Sequence, residues 1–247
     1  MTASGPAVAA ASQTDRTVAI MQPYFLPYIG YYQLIAAVDL FVVYDAIKYT
    51  KRGWINRNRL LQNGEPAVFT LPLRHGSDEL QIRERELATT FRAAALLNQV
   101  RGAYRRAPFF APTYRLLEEI LSTGEMNLFR FLEASVVTVC RYLGIETEIR
   151  RSSDVEEEVG LRAQDRVIGI CGAVGAGRYI NAIGGVELYE SEAFAAHGLE
   201  LRFIRPDPPA YEQFGAPFVP SLSILDVLMF NPVTAVADWV NTAYSLI

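Results

Sequence analysis

The chain has 247 residues, a formal net charge of −4 and 51% hydrophobic residues. This composition indicates a globular protein with a sizeable core and disfavours a disordered chain. The negative charge disfavours a nucleic-acid partner, because nucleic-acid-binding proteins usually present a basic face. We expect no membrane partner, since no apolar run approaches the roughly 18 residues of a membrane span.

The first 16 residues lack the basic start and apolar stretch of a signal peptide, so we predict a flexible tail followed by one α/β domain over residues 17–247. Without an export signal, Cys140 and Cys171 are expected to be free thiols in a reducing, cytoplasmic location. The two histidines, His75 and His197, have no matching cysteine pair, and we predict no metal site.

The first predicted element is a buried strand over residues 17–21. Prolines 23 and 27 then interrupt regular structure, and Gly30 allows close backbone approach where a helix through residues 34–37 begins. A strand, turn and helix in this order place polar groups at the carboxyl end of a sheet, where α/β proteins bind ligands. The candidate ligand contacts in this turn are Gln22, Tyr24, Tyr28 and Tyr31.

A second polar cluster follows the predicted strand 40–44 and Asp45. Its cations, aromatic rings and amides suit an anion or a carboxamide group, and we favour a small anionic or carrier-linked ligand. The alternatives are a solvated basic loop and a strip on which nucleic-acid bases stack. The cluster comprises Tyr49, Lys51, Arg52, Trp54, Asn56, Arg57, Asn58 and Arg59.

The middle of the chain is predicted to be helical. After a strand over residues 67–73, helices are expected near 90–103, near 112–122 and from Asn127 to residue 143, where Gly144 ends the last one. Apolar and polar residues alternate over 145–150, which predicts a half-exposed strand. From residue 162 strands and helices alternate again, with helices at 165–174 and 191–197 and strands at 178–180 and 200–204. This order predicts a mostly parallel, Rossmann-like sheet with a helical segment at about 89–143.

The loop of residues 181–185 carries paired glycines, Gly184 and Gly185, after a predicted strand. Successive backbone N–H groups in such a loop can hold a carbonyl oxygen or a phosphate, and Tyr179, Asn181 and Tyr189 can add contacts. A tight turn that requires positive φ explains the glycines equally well.

A proline-rich segment leads into a helix near the C-terminus. Ser223 and Asp226 have the spacing of a capping box, in which each side chain satisfies a helix N–H, and we favour this structural role for both. The helix N-terminus, with Ser221 beside it, is still predicted to face the same cleft as the glycines.

The order of these motifs closely resembles the WbqC-like protein family. The motifs are Gln-Pro-x-x-x-Pro-x-x-Gly-Tyr at 22–31, Asp45, Trp54 with 56–58, Tyr179 to Asn181 with Gly184 and Gly185, 187–189, and 221–226. The resemblance extends from Thr17 to the C-terminus; one departure is Ala182, where the closest relatives are expected to have proline.

The resemblance implies an amide-forming transferase of O-antigen or natural-product biosynthesis. Its donor would be an acyl or aminoacyl thioester on a carrier protein, through phosphopantetheine, or on coenzyme A. Its acceptor would be a small-molecule amine, such as an aminosugar or amino acid, and no tightly bound cofactor is expected.

Thioester aminolysis needs a positioned amine, a base and donors for an oxyanion. Asp45 is the leading base candidate because it follows a buried strand, although a salt bridge to Arg52 or Arg57 is an equal alternative. Tyr28 and Tyr31 are candidate carbonyl donors. Attack by Cys171 or Cys140 is disfavoured, since both lie in apolar sequence; direct attack on the donor thioester is preferred.

Two other classes of function fit parts of the pattern. The spacing of Tyr28, Gly30 and Tyr31 resembles the His-x-Gly-His motif of nucleotidylyltransferases and pantothenate synthetase, but tyrosine cannot supply an imidazolium to a triphosphate. A non-catalytic module could instead bind a carrier protein through residues 48–59.

The site prediction comprises Asp45, Tyr28 and Tyr31 as catalytic residues and Gln22, Tyr24, Tyr49, Arg52, Trp54, Asn56, Arg57, Asn58, Tyr179, Asn181, Gly184, Gly185, Tyr189, Ser221, Ser223 and Asp226 as substrate contacts.

Overall fold

The computed structural model describes residues 15–156, 158, 160–215 and 217–247. The predicted flexible tail therefore lies almost entirely outside the described residues. Eight strands form in the described part of the chain: β1 (Thr17–Met21), β2 (Leu40–Val43), β3 (Arg57–Gln62), β4 (Glu65–Thr70), β5 (Glu148–Arg151), β6 (Arg178–Ala182), β7 (Glu200–Pro206) and β8 (Tyr244–Leu246).

Six of these strands form one sheet in the order β5-β2-β1-β6-β7-β8. All neighbouring pairs are parallel except β7 and β8. This confirms the predicted mostly parallel, Rossmann-like sheet; the short edge strand β8 was not predicted. The chain builds outwards from β1 in both directions, so β1 and β6 flank the point where the strand order reverses. In such sheets the ligand crevice lies outside the carboxyl ends of those two strands.

Eight helices lie among the described residues: α1 (Ile29–Ala36), α2 (Ala93–Tyr104), α3 (Phe110–Leu121), α4 (Leu128–Leu143), α5 (Ala163–Ala173), α6 (Ser191–Ala196), α7 (Ile224–Phe230) and α8 (Val233–Thr242). Helices α2, α3 and α4 confirm the predicted helical middle. Asn127 caps α4 by accepting a hydrogen bond from the Arg130 N–H at 3.0 Å, and Gly144 ends it with φ of 70°.

The sheet separates two hydrophobic cores because successive side chains of a strand point to opposite faces. Val18 and Val42 pack with α5 and α6 on one face, around Phe194. Ala19 and Phe41 belong to the larger core on the other face, which includes α1 and the helical middle. Strands β1 and β2 are apolar along nearly their whole length because both of their faces are covered.

Strands β3 and β4 form a separate antiparallel hairpin. Its turn is Asn63-Gly64, with positive φ at both residues, which is the geometry that a two-residue hairpin turn requires. The second half of the predicted basic cluster therefore lies on a strand and is not a loop. The alternation in β3 buries Asn58 and Leu60 and leaves Arg57 and Arg59 half-buried.

Candidate functional site

A cavity of about 270 Å³ lies next to the turn that follows β1. Three segments that are far apart in sequence build its wall: the turn after β1, the start of β3 and the segment before α7. The structure thus brings together members of three predicted clusters. The lining residues are Tyr24, Pro27, Tyr28, Trp54, Asn58, Arg59 and Ser221.

Tyr24 and Tyr28 supply two phenolic hydroxyl groups to this cavity, in addition to the hydroxyl of Ser221. Neither hydroxyl is hydrogen-bonded to any residue that the structure describes. Burial raises the pKa of both phenols, so each remains protonated and a hydrogen-bond donor at neutral pH. Gly30 is required here, because a Cβ at that position would lie 2.3 Å from the Tyr28 hydroxyl.

Trp54 and Arg59 form a cationic, aromatic wall of the cavity, and Arg57 packs on the same ring. The guanidinium carbons of Arg57 and Arg59 lie 5.5 and 5.2 Å from the Trp54 ring centroid. Arg59 Nη2 donates to the Ser221 carbonyl at 2.8 Å, whereas its buried Nε has no partner among the residues described. Arg59 therefore brings a positive charge to the cavity wall.

Arg59 belongs to the predicted basic cluster but was not among the predicted site residues. The signal that could have singled it out is its spacing of two from Arg57, which places both side chains on the same face of a strand. That signal required β3 to be identified as a strand first.

The turn that carries Tyr24 and Tyr28 has a strained backbone. Leu26 has φ of 44°, which is uncommon for a residue other than glycine. Asn58 Nδ2 donates to the carbonyls of Phe25 and Leu26 at 3.1 and 2.8 Å, and Ser223 Oγ donates to the Leu26 carbonyl at 2.7 Å. These bonds hold the strained turn in place and so position the cavity wall.

We expect Asn58→Ala to lower the free energy of unfolding by about 1–3 kcal/mol, because the Phe25 carbonyl loses its side-chain donor and the Leu26 carbonyl keeps only Ser223 Oγ. Urea denaturation measures the loss. Asn98→Ala removes an exposed amide on α2 and should change stability by less than about 0.5 kcal/mol. Equal effects of the two substitutions would contradict the role assigned to Asn58.

The structure corrects the predicted capping box of α7. Ser223 is the N-cap, and its Oγ accepts a hydrogen bond from the Leu225 N–H at 3.3 Å. Asp226 does not cap the helix, since the Ser223 N–H donates to the Arg59 carbonyl instead. The Asp226 carboxylate is fully buried and serves long-range donors that sequence spacing cannot reveal.

Three side chains donate to the Asp226 carboxylate. The Tyr104 hydroxyl lies 2.7 Å from Oδ1, and the Tyr211 hydroxyl and Gln213 Nε2 lie 2.6 and 2.7 Å from Oδ2. Burial raises the pKa of Asp226, and the three hydrogen bonds offset part of that rise. The network ties the segment from Tyr211 to Ser221 to the helical core.

Asp45 lies at a different cavity, of about 320 Å³, which shares no lining residue with the cavity of Tyr24 and Tyr28. Its buried Oδ1 accepts hydrogen bonds from Ser152 Oγ at 2.7 Å and from the Ser153 N–H at 3.0 Å. Neither Arg52 nor Arg57 pairs with it in the described structure, since Arg57 donates to backbone carbonyls. The structure therefore does not bring Asp45 to the two free tyrosine hydroxyls.

Several other predicted contacts are engaged inside the protein. The Tyr31 hydroxyl donates to the Gln22 carbonyl at 3.0 Å, so it is not free for a substrate. The Tyr49 hydroxyl donates to Asn56 Oδ1, and Asn56 Nδ2 donates to the Leu71 carbonyl, each at 2.8 Å. Burial raises the pKa of Tyr31 well above its usual value. The side chain of Arg52 is exposed.

The glycine loop also lies apart from the 270 Å³ cavity. Tyr179 is buried in the second core, with its ring centroid 5.8 Å from that of Tyr189. Gly184 and Gly185 lie in a 3-10 turn (Ile183–Leu188). Neither has positive φ, so the prediction that the glycines serve a turn requiring positive φ is wrong. Gly185 is needed because a Cβ there would lie 2.2 Å from Asn181 Nδ2.

The cysteines and possible metal ligands add no reactive group. Cys140 and Cys171 are buried free thiols, and burial raises the pKa of each to about 12. Such thiols are poor nucleophiles at neutral pH. Within the part of the chain that the structure describes, no group of three or more His, Cys, Asp or Glu side chains could hold a metal ion. Across the same residues, every helix is too short or too polar to cross a bilayer.

Comparison with known proteins places these observations in a family context. The model of the WbqC-like protein family matches residues 22–238. Uncharacterized protein Rv1507c of Mycobacterium tuberculosis is 31% identical to the chain over 229 residues, which cover 92% of this chain and 98% of that protein. No solved structure matches the chain.

Proposed function

The chain belongs to the WbqC-like protein family, and from this premise we propose that it is an amide-forming acyl or aminoacyl transferase. It moves an acyl group from a thioester to the nitrogen of a small-molecule amine, such as an aminosugar or amino acid. The donor thioester is carried by coenzyme A or by the phosphopantetheine arm of a carrier protein. A cytoplasmic location, where free thiols persist, is part of the proposal.

One observation carries the proposal: Tyr24 and Tyr28, whose hydroxyls form no hydrogen bond within the described structure, line one small cavity together with Arg59, beside the carboxyl end of β1. Neutral phenols and a guanidinium are suitable donors for the oxyanion that forms when an amine attacks a thioester. The Trp54 ring adds an apolar face for an acyl chain.

The chemistry requires no protein nucleophile. The amine nitrogen attacks the thioester carbonyl carbon, the carbon–sulfur bond breaks, and the departing thiolate takes the proton that the nitrogen releases. Tyr24 and Tyr28 donate to the carbonyl oxygen as its negative charge develops, and Arg59 balances that charge. The buried thiols Cys140 and Cys171 take no part, which favours direct aminolysis over an acyl-enzyme.

The lining of the cavity favours this reaction over nucleotidyl transfer, because none of the described residues that line it is a histidine that could supply an imidazolium to a triphosphate. The Tyr31 hydroxyl, at a position where nucleotidylyltransferases have a histidine, is engaged by the Gln22 carbonyl.

The direct test is detection of amide product by intact mass. The purified protein is incubated with acyl and aminoacyl thioesters, on coenzyme A and on a carrier protein, together with a panel of amines, with and without ATP. Product without ATP supports the proposal. Product that requires ATP would favour a ligase-like enzyme, and no product in any arm would favour a carrier-binding module.

Asp45→Asn separates the two candidate sites. Because the asparagine oxygen can accept the same bonds from Ser152 and Ser153, we expect a loss of transfer rate well below the roughly 10²-fold that removal of a general base causes. Steady-state kinetics with the best thioester and amine measure the change. A larger loss in a well-folded variant would restore Asp45 as the base.

A further inference from the structure

Arg85 is a buried cation without an acidic partner. The residue directly follows a 3-10 turn (Ile82–Glu84) in the chain and is only 6% exposed. No carboxylate in the described structure forms an ion pair with it. Its Nη1 and Nη2 make long contacts of 3.4 and 3.3 Å with the carbonyls of Ser77 and Arg74, and its buried Nε has no partner there at all.

Three carboxylates line the cavities around Arg85, and none of them forms an ion pair with it in the described structure. Glu84 accepts a hydrogen bond from the Gln81 N–H at 2.7 Å. Asp78 pairs with Lys51 at 2.6 Å, and Glu86 pairs with Arg74 at 2.7 Å. The guanidinium carbon of Arg85 lies 4.9 Å from the Tyr49 ring centroid, which compensates only part of the cost of burial. Arg85 is therefore a buried guanidinium that no ion pair within the described structure balances directly.

Arg85 lines two cavities, of about 540 and 270 Å³, that also share Arg74, His75 and Gly76. Lys51 and Ser77 line the larger one and supply further hydrogen-bond donors. Gly76 keeps the space open, since a Cβ at that position would lie 3.0 Å from both Arg85 Nη1 and Leu80 Cδ1. The arginine is thus accessible from a cavity although it is hidden from bulk solvent.

Buried charges in proteins are normally paired or bind an ion, because an isolated buried charge is strongly unfavourable. We propose that Arg85 is the centre of an anion-binding site that accepts a phosphate group. A guanidinium fork surrounded by lysine, histidine and hydroxyl donors matches the several acceptor oxygens of phosphate. The site is separate from the cavity of Tyr24 and Tyr28, with which it shares no lining residue.

The source of the phosphate rests on the proposed function. A thioester donor carries a phosphate either as the 3′-phosphate of coenzyme A or as the phosphodiester that links phosphopantetheine to a carrier protein. The Arg85 guanidinium would bind either phosphate through the same charged hydrogen bonds. Binding of inorganic phosphate does not depend on which donor is used, nor on whether acyl transfer occurs.

The test uses the full chain with inorganic phosphate as the probe. The melting temperature is measured as phosphate replaces chloride at constant ionic strength, for the wild type, Arg85→Met and Arg83→Gln. Arg83 is an exposed arginine on the same turn and serves as the matched control. We expect the melting temperature of the wild type and of Arg83→Gln to rise with phosphate concentration and to reach a plateau. For Arg85→Met, we expect the rise in melting temperature to be at least tenfold smaller.

The phosphate-free arm separates a binding role from a structural one. Methionine retains much of the packing on Tyr49 and removes the unpaired charge, so Arg85→Met should melt at or above the wild-type temperature. A fall of several degrees without phosphate would show that the arginine is structural and would overturn the proposal. The proposal would also be overturned if the melting temperature of the wild type did not change with phosphate. This wild-type measurement decides the question even if Arg85→Met fails to fold.

Further arms identify the source and separate the two proposals. Tighter binding of coenzyme A than of dephospho-coenzyme A would assign the site to the 3′-phosphate, and competition by a phosphopantetheinylated carrier protein would assign it to the phosphodiester. Phosphate binding without acyl transfer in any assay would retain the anion site and overturn the transferase. Acyl transfer without phosphate binding would do the reverse.

Discussion

Asp226→Ala is expected to lower the free energy of unfolding by about 3–5 kcal/mol, among the largest losses from a single change in this protein. The substitution removes the acceptor of the Tyr104 and Tyr211 hydroxyls and one of the two acceptors of Gln213 Nε2, which keeps the Val219 carbonyl at 3.2 Å. Chemical denaturation at pH 7 measures the loss. Asp238→Ala, at an exposed position on α8, is the control and should cost less than about 0.5 kcal/mol.

The loss of unfolding free energy caused by Asp226→Ala should also depend on pH. Burial raises the pKa of Asp226 in the folded state above its unfolded value near 3.9, so the unfolded chain releases this proton first. The stabilising contribution of Asp226 is therefore greatest below the unfolded pKa and declines as the pH rises through the folded pKa. We expect the difference between wild type and Asp226→Ala to be larger near pH 4 than at pH 7, and the opposite trend would contradict this account.

Tyr28→Phe is expected to lower the rate of acyl transfer by about 10²–10³-fold while leaving the fold intact. The Tyr28 hydroxyl lines the cavity and has no hydrogen bond to the described protein, so its removal leaves no buried group unpaired. If the hydroxyl acts mainly on the developing oxyanion, kcat falls and KM changes little. Steady-state kinetics and a melting curve on the same preparation measure both properties.

Tyr142→Phe is the matched control, because it removes a half-buried hydroxyl from α4, outside the residues that line the cavity. Its transfer rate should equal that of the wild type. Wild-type activity in Tyr28→Phe would exclude this hydroxyl from the reaction. An equal loss in both variants would indicate a general effect of tyrosine replacement and not a site.

Much of the architecture could be predicted from local sequence. The apolar run over residues 17–21, the helix from Asn127 to Gly144 and the alternation of strands and helices after residue 162 depend on side-chain periodicity and caps, which act over a few residues. The family was also identified from motif order, because several separated blocks rarely agree by chance. The whole of β3 was missed, because the arginines and asparagines at its start conceal the alternation of a strand.

The candidate site was only partly predictable. The sequence by itself determined the fold class, the family and the polar segments at 22–31, 49–59 and 221–226, because these depend on local periodicity and on motif order. Only the tertiary structure showed that members of these three segments meet at one cavity and that the glycine loop does not. Only the tertiary structure decided which polar side chains remain free. It engages Asn56 and Asp226 in internal hydrogen bonds, places Asp45 at another cavity, and leaves Tyr28, Arg59 and Arg85 with unused donors. The physical reason is that a buried polar group must find its partner in three dimensions, and that partner can lie more than a hundred residues away, as Tyr104 does from Asp226.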